Sequence, residues 1–320
     1  MCIRSATPPV PVTLLPRHGG RFVRTVPGTL PSRAADSLFW LGRYAERAEL
    51  VTRILRASAI LSSDTNGDDN PIRAILSECL EDYAIEDANG VPQELIGIVE
   101  RAFGSASAIR DRFAPDAWLT LRDLVEELRP FRTLSVSGMA AIEPLTRILR
   151  ALAALAGLSQ ENMYRTTGWS FLKSGKRLER ALGMARLAKR LCAAAAPVGS
   201  LDTLLEIADS VITHRRRYAV ALAQDSVFDL AVLDAHNPRS VAFQVERLKE
   251  HVQSIPGQQL GALERNLARL AVDLATTDAS NVEPDFLNGV SHRLMLISEA
   301  ISERYFTGIG EAMHPLDTLA

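Results

Sequence analysis

Two similar segments, whose equivalent positions lie 133 residues apart, limit the folds that this chain can adopt. Residues 41–55 read LGRYAERAELVTRIL, and residues 174–188 read SGKRLERALGMARLA. Aligned without gaps, the segments share five of fifteen residues, and apolar residues recur at helical spacing through both of them. We therefore predict two long helices that lie early in two related α-helical halves, residues 32–160 and 161–310. We expect the halves to form one pseudo-symmetric helical bundle.

The rest of the sequence also follows the helical period, and no run of alternating β-branched residues predicts a strand. Several expected helices begin at or near a proline, which suits the first helical turn because its N–H groups have no partner within the helix. The predicted fold class is all-α, with no β-sheet. Helices are expected over residues 32–62, 71–83, 92–103, 115–128, 138–158, 169–196, 200–223, 238–254, 256–276 and 284–306.

A change of composition near the N-terminus sets the expected domain boundary. Six of the sixteen prolines lie within the first 31 residues, where apolar periodicity is absent. We expect residues 1–30 to be a Pro-rich flexible leader, residues 31–310 to be the helical domain, and residues 311–320 to be a C-terminal tail. A domain of that length buries a core without disulfide or metal support.

Charge and cysteine usage narrow the expected partners and location. A net charge of −2, without a basic stripe, disfavours a nucleic-acid-binding or membrane-surface protein. The sequence contains no run of about 18 apolar residues, which a membrane span would need. Its three cysteines form no CxxC pair, and this points to the cytoplasm. The histidines lack metal-ligand spacing, and no GxSxG or HExxH signature occurs. We therefore expect no metal, no cofactor, no nucleic acid and no membrane as partners.

Helical geometry brings the repeated glycine, glutamate and arginine of each segment together. Glu46 and Arg53 are seven residues apart and share a stripe, as do Glu179 and Arg186 in the second segment. Glycine inside a helix costs about 1 kcal/mol relative to alanine, so its recurrence predicts that a helix or a ligand approaches the backbone there. The candidate cluster comprises Gly42, Arg43, Glu46, Arg47, Arg53, Gly175, Lys176, Glu179, Arg180 and Arg186.

This cluster has a structural and a functional interpretation. In the structural one, arginines bridge Glu46 and Glu179 across a helix crossing, because buried charges must be paired. In the functional one, Arg47, Arg180 and Arg239 bind a carboxylate or phosphate, and a glutamate orients them or moves protons. Both interpretations stay open at the level of the sequence.

The segment HRRRY at residues 214–218 supplies a further candidate for anion binding. Three consecutive arginines cannot share one helix face, so at least one of them is expected to turn inward. We expect the inward-facing residues to be Arg217 and Tyr218, and internal pairing with a glutamate is the alternative to anion binding. Arg165, just before the segment GWSF, is a similar candidate.

The segment NPRS supplies two more candidates. Asn237 is expected to cap a helix opened by Pro238, which places Arg239 in the first helical turn. A cation at that position opposes the helix dipole. Arg239 is therefore expected to have a specific partner, either Glu179 or an anionic ligand.

Together these motifs resemble the bacterial alpha-E domain family. The first helix carries SRAADSLFWLGRYAERAE and the second carries GWSFLKSGKRLERAL, followed by HRRRY, NPRSVAFQ and ISERYF. The resemblance covers about residues 30–306, with the segments in the expected order. It implies an all-α domain with recurrent Glu-Arg signatures.

One segment departs from the pattern of that family. After the third helix of the first half, family members tend to carry an Ala-Arg-Glu-Asn-Ala-type segment. This chain has GSASAIRDRF at residues 104–113 instead. If the segment builds a site in family members, the departure implies that the site is lost or altered here.

The resemblance implies a domain of unknown biochemical activity. Such domains are commonly encoded beside, or fused to, circularly permuted ATP-grasp ligase-like proteins, with transglutaminase-like peptidases and proteasome-like hydrolases also nearby. We expect a non-catalytic accessory or scaffold protein that acts with an ATP-grasp-type ligase or a transglutaminase-like peptidase in peptide or amide-bond metabolism. The alternative is an enzyme or catalytic co-subunit whose Arg/Glu-lined cleft binds an anionic small molecule or peptide.

Overall fold

A computed structural model describes six stretches of the chain, and it confirms the all-α class. The described residues are 30–63, 70–86, 89–218, 222–256, 261–282 and 285–306. They form twelve α-helices and a few short helical turns, without a strand in any of these stretches. Except for Leu30, the predicted leader lies outside the described residues, as does the tail at residues 311–320.

The helix bounds follow the predicted ones closely in the first half and less closely in the second. The helices are α1 (Ser32–Ser62), α2 (Pro71–Glu81), α3 (Gln93–Ser107), α4 (Pro115–Leu128), α5 (Met139–Asn162), α6 (Thr167–Leu191), α7 (Ser200–Ile207), α8 (Val211–Arg217), α9 (Gln224–Phe228), α10 (Val241–Gln253), α11 (Ala262–Thr276) and α12 (Phe286–Tyr305). Short 3₁₀ turns occupy Arg129–Arg132 and Ala279–Asn281, and a π-helical turn occupies Asp229–Leu233.

The single helix predicted over residues 200–223 is wrong. The chain forms α7 and α8 instead, because Asp209 adopts a left-handed conformation with φ of 53°. The N–H of Ser210 then bonds back to the carbonyl of Leu205 at 2.8 Å, which closes α7. Tyr218 ends α8 with an extended backbone.

The two long helices that carry the repeated segments, α1 and α6, form the centre of the molecule. They pack against each other along their length. On the outer sides, α1 packs against α2, α3 and α5, while α6 packs against α10 and α12. Both helices are therefore buried around most of their circumference, including charged positions. In the ranges that the structure describes, no helix combines the length and the apolar character needed to cross a membrane.

The repeated glycines lie where α1 and α6 cross. A Cβ added to Gly42 would lie 2.2 Å from the carbonyl oxygen of Leu172, and one added to Gly175 would lie 2.0 Å from that of Phe39. Each glycine thus faces the carbonyl three residues before the other glycine, so the contact is reciprocal. The object that approaches the backbone is another helix. The wider proposal of two related halves stays a prediction.

Adding a methyl group at this crossing should destabilise the protein. We expect Gly175→Ala to lower the free energy of unfolding by about 1–3 kcal/mol or more, because the new Cβ would collide with backbone that cannot easily move. Chemical denaturation of the full chain measures the change.

Gly157→Ala is the matched control. Gly157 lies inside α5 and is exposed. Apart from the backbone of α5 itself, no atom lies within 4 Å of the point that a Cβ would occupy. Alanine there should raise the free energy of unfolding by about 0.5–1 kcal/mol through helix propensity. Equal stability of Gly175→Ala and wild type would show that the crossing is not tightly packed.

Candidate functional site

The candidate site is a buried cluster of charges at the crossing of α1 and α6. Glu179 of α6 has only 2% of its side chain exposed. Arg43 Nε donates to Glu179 Oε2 at 2.7 Å, and Arg47 Nε donates to Glu179 Oε1 at 2.6 Å. Both carboxylate oxygens of Glu179 are therefore held by arginines of α1.

The glutamate of α1 is held in the same manner by α6. Arg180 donates to both oxygens of Glu46, with Nη2 2.8 Å from Oε2. Lys176 Nζ lies 3.6 Å from the same Oε2. Arg180 also reaches Glu49 Oε2 at 3.2 Å, which adds a second carboxylate on α1.

The two sets of ion pairs are equivalent under the 133-residue offset of the sequence repeat. In each set, the glutamate of one helix binds the arginine that follows the glutamate of the other helix. The basic residue three positions before each glutamate, Arg43 or Lys176, binds the same partner carboxylate. The charges therefore join the two helices to each other.

Glu49 extends the cluster and corrects the expectation about the partner of Arg239. Arg239 Nη2 donates to Glu49 Oε1 at 2.6 Å and has Glu46 at 4.0 Å, so its partner is not Glu179. Arg53 donates to Glu49 at 3.1 Å. Glu49 was missed in the sequence, although its position four residues before Arg53 is a helical ion-pair spacing.

Arg186, the counterpart of Arg53 in the second segment, has a different environment. Its Nη2 lies 3.8 Å from the sulfur of Met295 on α12. Within the described stretches it makes no ion pair with a carboxylate. It lines a cavity instead.

The electrostatics of the cluster favour the ionised form of two of its carboxylates, Glu179 and Glu49. Burial alone would raise the pKa of Glu179, but Arg47 and Arg43 outweigh burial and lower the pKa to about 2. Burial likewise opposes the ionisation of Glu49, yet Arg239 and Arg180 hold its pKa far below the usual range. For Arg47, contact with Glu179 overcomes burial and raises the guanidinium pKa.

A cavity of about 210 Å³ adjoins Glu179 between α1, α6 and α12. Arg43, Arg47 and Arg186 line it together with the carboxylates of Asp82, Glu179 and Glu299 and with apolar and hydroxyl groups. Arg43 also donates from Nη1 to the hydroxyl of Ser298 at 2.8 Å, which ties the cluster to α12.

The structure places Arg217 and Arg165 outside the cluster. The expectation that Arg217 turns inward is wrong, because its side chain is exposed and reaches the buried carboxylate of Asp234 from the surface. Arg165 stacks over the ring of Trp169 at 4.8 Å and donates to the carbonyl of Gln160 at 3.1 Å. Of the outlying arginine candidates, Arg239 alone joins the Glu-Arg network described above.

The helix cap predicted at Asn237 is wrong. Helix α10 begins at Val241, and the hydroxyl of Ser240 caps it by accepting from the N–H of Phe243 at 3.1 Å. Asn237 instead donates to the carbonyl of Leu230 at 2.8 Å and accepts from the N–H of Arg239 at 3.1 Å. Arg239 therefore precedes the helix, and the helix-dipole argument does not apply to it.

Residues 104–113, where the sequence departs from the family pattern, end α3 and lead into α4. Their buried side chains include Ile109 and Phe113, while Asp111 and Arg112 are exposed. Phe113 lines a small cavity of about 40 Å³ on the Glu46 side of the crossing. This segment therefore contributes an apolar wall close to the cluster.

Two of the three cysteines, Cys79 and Cys192, lie in the stretches that the structure describes. Cys79 and Cys192 are buried and unpaired, and burial raises the pKa of each thiol to about 12. A thiol with that pKa is a poor nucleophile at neutral pH. Across the described ranges, no three His, Cys, Asp or Glu side chains gather closely enough to hold a metal ion.

Comparison with known proteins identifies a family but no activity. The Alpha-E family model, a predicted alpha-helical domain with a conserved ER motif, matches residues 30–306. Uncharacterized protein Rv2567 of Mycobacterium tuberculosis and uncharacterized protein Mb2597 of Mycobacterium bovis are each 25% identical over 298 residues. Each match covers 81% of this chain and 33% of the relative, so the chain spans about a third of these relatives. No solved structure gives a significant match.

Removing the charge of Glu179 should strongly destabilise the fold. We expect Glu179→Gln to lower the free energy of unfolding by about 3–5 kcal/mol, because Arg43 and Arg47 would remain buried without their carboxylate. Glu126→Gln is the control, since its pair with Arg129 is exposed and such pairs contribute at most about 1 kcal/mol. A stable Glu179→Gln variant that has lost its cellular role would contradict a structural function.

The contribution of Glu179 to the free energy of unfolding should also disappear at acidic pH. Its pKa is about 2 in the folded protein and 4.5 without the fold, so its ionised form adds stability above pH 4.5. That stability is lost as the pH falls from 4.5 towards 2. The difference in unfolding free energy between wild type and Glu179→Gln should therefore narrow across this range. A difference that narrows at about pH 5–7 instead would contradict the assignment.

Proposed function

This chain belongs to the Alpha-E family, and we propose that it is a non-catalytic, all-α accessory or scaffold module. In this proposal the Glu-Arg cluster is an internal brace that fixes α1 against α6. The observation that carries the proposal is the saturation of Glu46 and Glu179, whose oxygens are all occupied by basic groups of the opposite helix.

The protonation state of Glu179 supports a structural role for the cluster and argues against a role in proton transfer. A general acid or base works best when its pKa lies near the operating pH. The pKa of Glu179 is about 2, and both of its oxygens already accept hydrogen bonds from arginines. The carboxylate would have to break these bonds before it could take up a proton.

The length of the relatives supports a role beside other domains. The aligned region occupies 33% of each mycobacterial relative, so those proteins contain much more than this module. We infer that the module acts with an ATP-grasp-type ligase or a transglutaminase-like peptidase in peptide or amide-bond metabolism. A cytoplasmic location belongs to the same proposal.

Isolation of the tagged full chain from its native cells, followed by mass spectrometry, tests this function. The expected result is co-isolation of an ATP-grasp-type or transglutaminase-like protein in near-stoichiometric amount, and its absence from a control with the tag alone. Recovery of the chain without either class of protein would contradict the proposed partnership. The recovered partner would then be assayed with and without the module.

The cavity beside Glu179 favours a second candidate, an enzyme or catalytic co-subunit that binds a carboxylate or phosphate. Arg186 lines that cavity, and in the described part of the chain no carboxylate pairs with it. Under this candidate, Arg186→Met should lose saturable binding of anionic peptides or nucleotides, measured by calorimetry. The exposed Arg216→Met is the control and should bind as wild type does. Absence of binding to wild type would exclude the candidate.

A further inference from the structure

Among the residues that the structure describes, one face of α6 carries three side chains that each have a hydrogen-bond donor without an acceptor. Trp169, Lys173 and Arg177 are spaced four residues apart, so their side chains follow one side of the helix. The indole Nε1 of Trp169 and the Nε of Arg177 are buried without a hydrogen-bond partner. Lys173 is only 5% exposed and makes no ion pair within the described ranges.

Helix α10 adds basic groups to this face. His251 packs edge-on against Trp169, with 5.0 Å between ring centroids. One turn earlier, Arg247 lies over the ring of Phe243 at 5.6 Å, and Arg177 lies over the same ring at 5.5 Å. The basic side chains of the two helices are therefore held together by shared aromatic rings.

The N-terminal end of α6 brings a further guanidinium to this face. Arg165 lies 4.8 Å from the ring of Trp169, and the ammonium of Lys173 lies 5.4 Å from it. Arg165 and Arg247 are exposed. The face thus has a buried floor at Lys173 and an edge that a solute can reach.

In the described ranges no carboxylate forms an ion pair with Lys173 or Arg177, although Glu46 lies near Arg177 and lines the small cavity together with Lys173. Arg247 pairs with the exposed Glu250 at 2.8 Å, but Arg177 Nη1 donates to the uncharged amide of Gln244 at 3.1 Å. Burial, together with the nearby charges of Lys176 and Arg177, lowers the pKa of Lys173 to about 7. Burial and the charges of Arg177 and Lys173 also lower the pKa of His251, to about 4.

Burying an ammonium without a counter-charge is unfavourable. Water could accept hydrogen bonds from these donors, but it would not neutralise their charge. An oxyanion supplies both the negative charge and the acceptors, because its oxygens accept several charge-assisted hydrogen bonds at once.

We propose that this face, formed by Arg165, Trp169, Lys173, Arg177, Arg247 and His251, binds a small oxyanion, a phosphate or a carboxylate group. The site lies on α6 and α10, whereas the Glu-Arg cluster lies between α1 and α6. Lys173 also lines the small cavity beside Glu46 and Glu49, so the site adjoins the brace. The proposal does not rest on the proposed partnership. Lys173 is its central residue because it is the most deeply buried cation of the six residues.

Calorimetric titration of the full chain with inorganic phosphate and, separately, with propionate tests the proposal at constant ionic strength. Wild type should bind at least one of the two saturably, and the preferred one identifies the ligand class. Lys173→Met should weaken that binding at least tenfold. Lys189→Met, on an exposed position of the same helix, should leave it unchanged.

Thermal unfolding without the anion shows whether each variant is folded. Lys173→Met keeps an apolar chain of similar length and removes a buried charge, so it should be as stable as wild type or more stable. If it does not fold, Arg177→Met takes its place with the same tenfold expectation. Equal affinity of wild type and the folded variant, or no saturable binding of either anion to wild type, would overturn the proposal.

Discussion

Glu46 and Glu179 each accept hydrogen bonds from the opposite helix at a crossing where the backbones of α1 and α6 touch. The remaining architecture depends on this contact, since α2, α3 and α5 pack on α1 while α10 and α12 pack on α6. The glycines permit the close approach, and the approach buries the glutamates. Once buried, the carboxylates must be paired, because an unpaired one would cost several kcal/mol.

Such pairing gives specificity more readily than net stability. Desolvation of buried ions offsets much of their attraction, so an apolar crossing of the same shape could be equally stable. The reciprocal pairs, however, fit one register of the two helices. A slip along either helix would leave a glutamate facing apolar or like-charged groups. We therefore regard the cluster as a device that selects this arrangement of the bundle.

The positive charge around α6 exceeds what its carboxylates can neutralise. In the cluster, six basic side chains surround three carboxylates, Glu46, Glu49 and Glu179. On the side facing α10, Lys173 and Arg177 lack even one ion pair among the residues described. Helix α6 thus carries the paired charges of the brace on one side and, towards α10, the face that we propose to bind an anion. A module of this kind could hold an anionic ligand without performing chemistry on it.

Periodicity and proline placement predicted the helical class and the bounds of α1 and α4 closely. The repeated glycines correctly indicated a close backbone approach. The break at Asp209 was not predicted, because a left-handed residue between two helical patterns leaves no reliable local signal. The roles of Glu49 and Lys173 depend on which helices become neighbours, and spacing along one helix does not reveal that. The cap at Ser240 was missed because Asn237 and Pro238 offered an equally good start.

A double-mutant cycle on Glu179 and Arg47 tests the brace most directly. The free energies of unfolding of wild type, Glu179→Gln, Arg47→Met and the double variant would be measured by chemical denaturation. If the buried pair fixes α1 against α6, the double variant should be more stable than the sum of the single effects predicts, by about 1–3 kcal/mol. A coupling energy near zero would contradict a structural brace and would leave these residues available for a ligand.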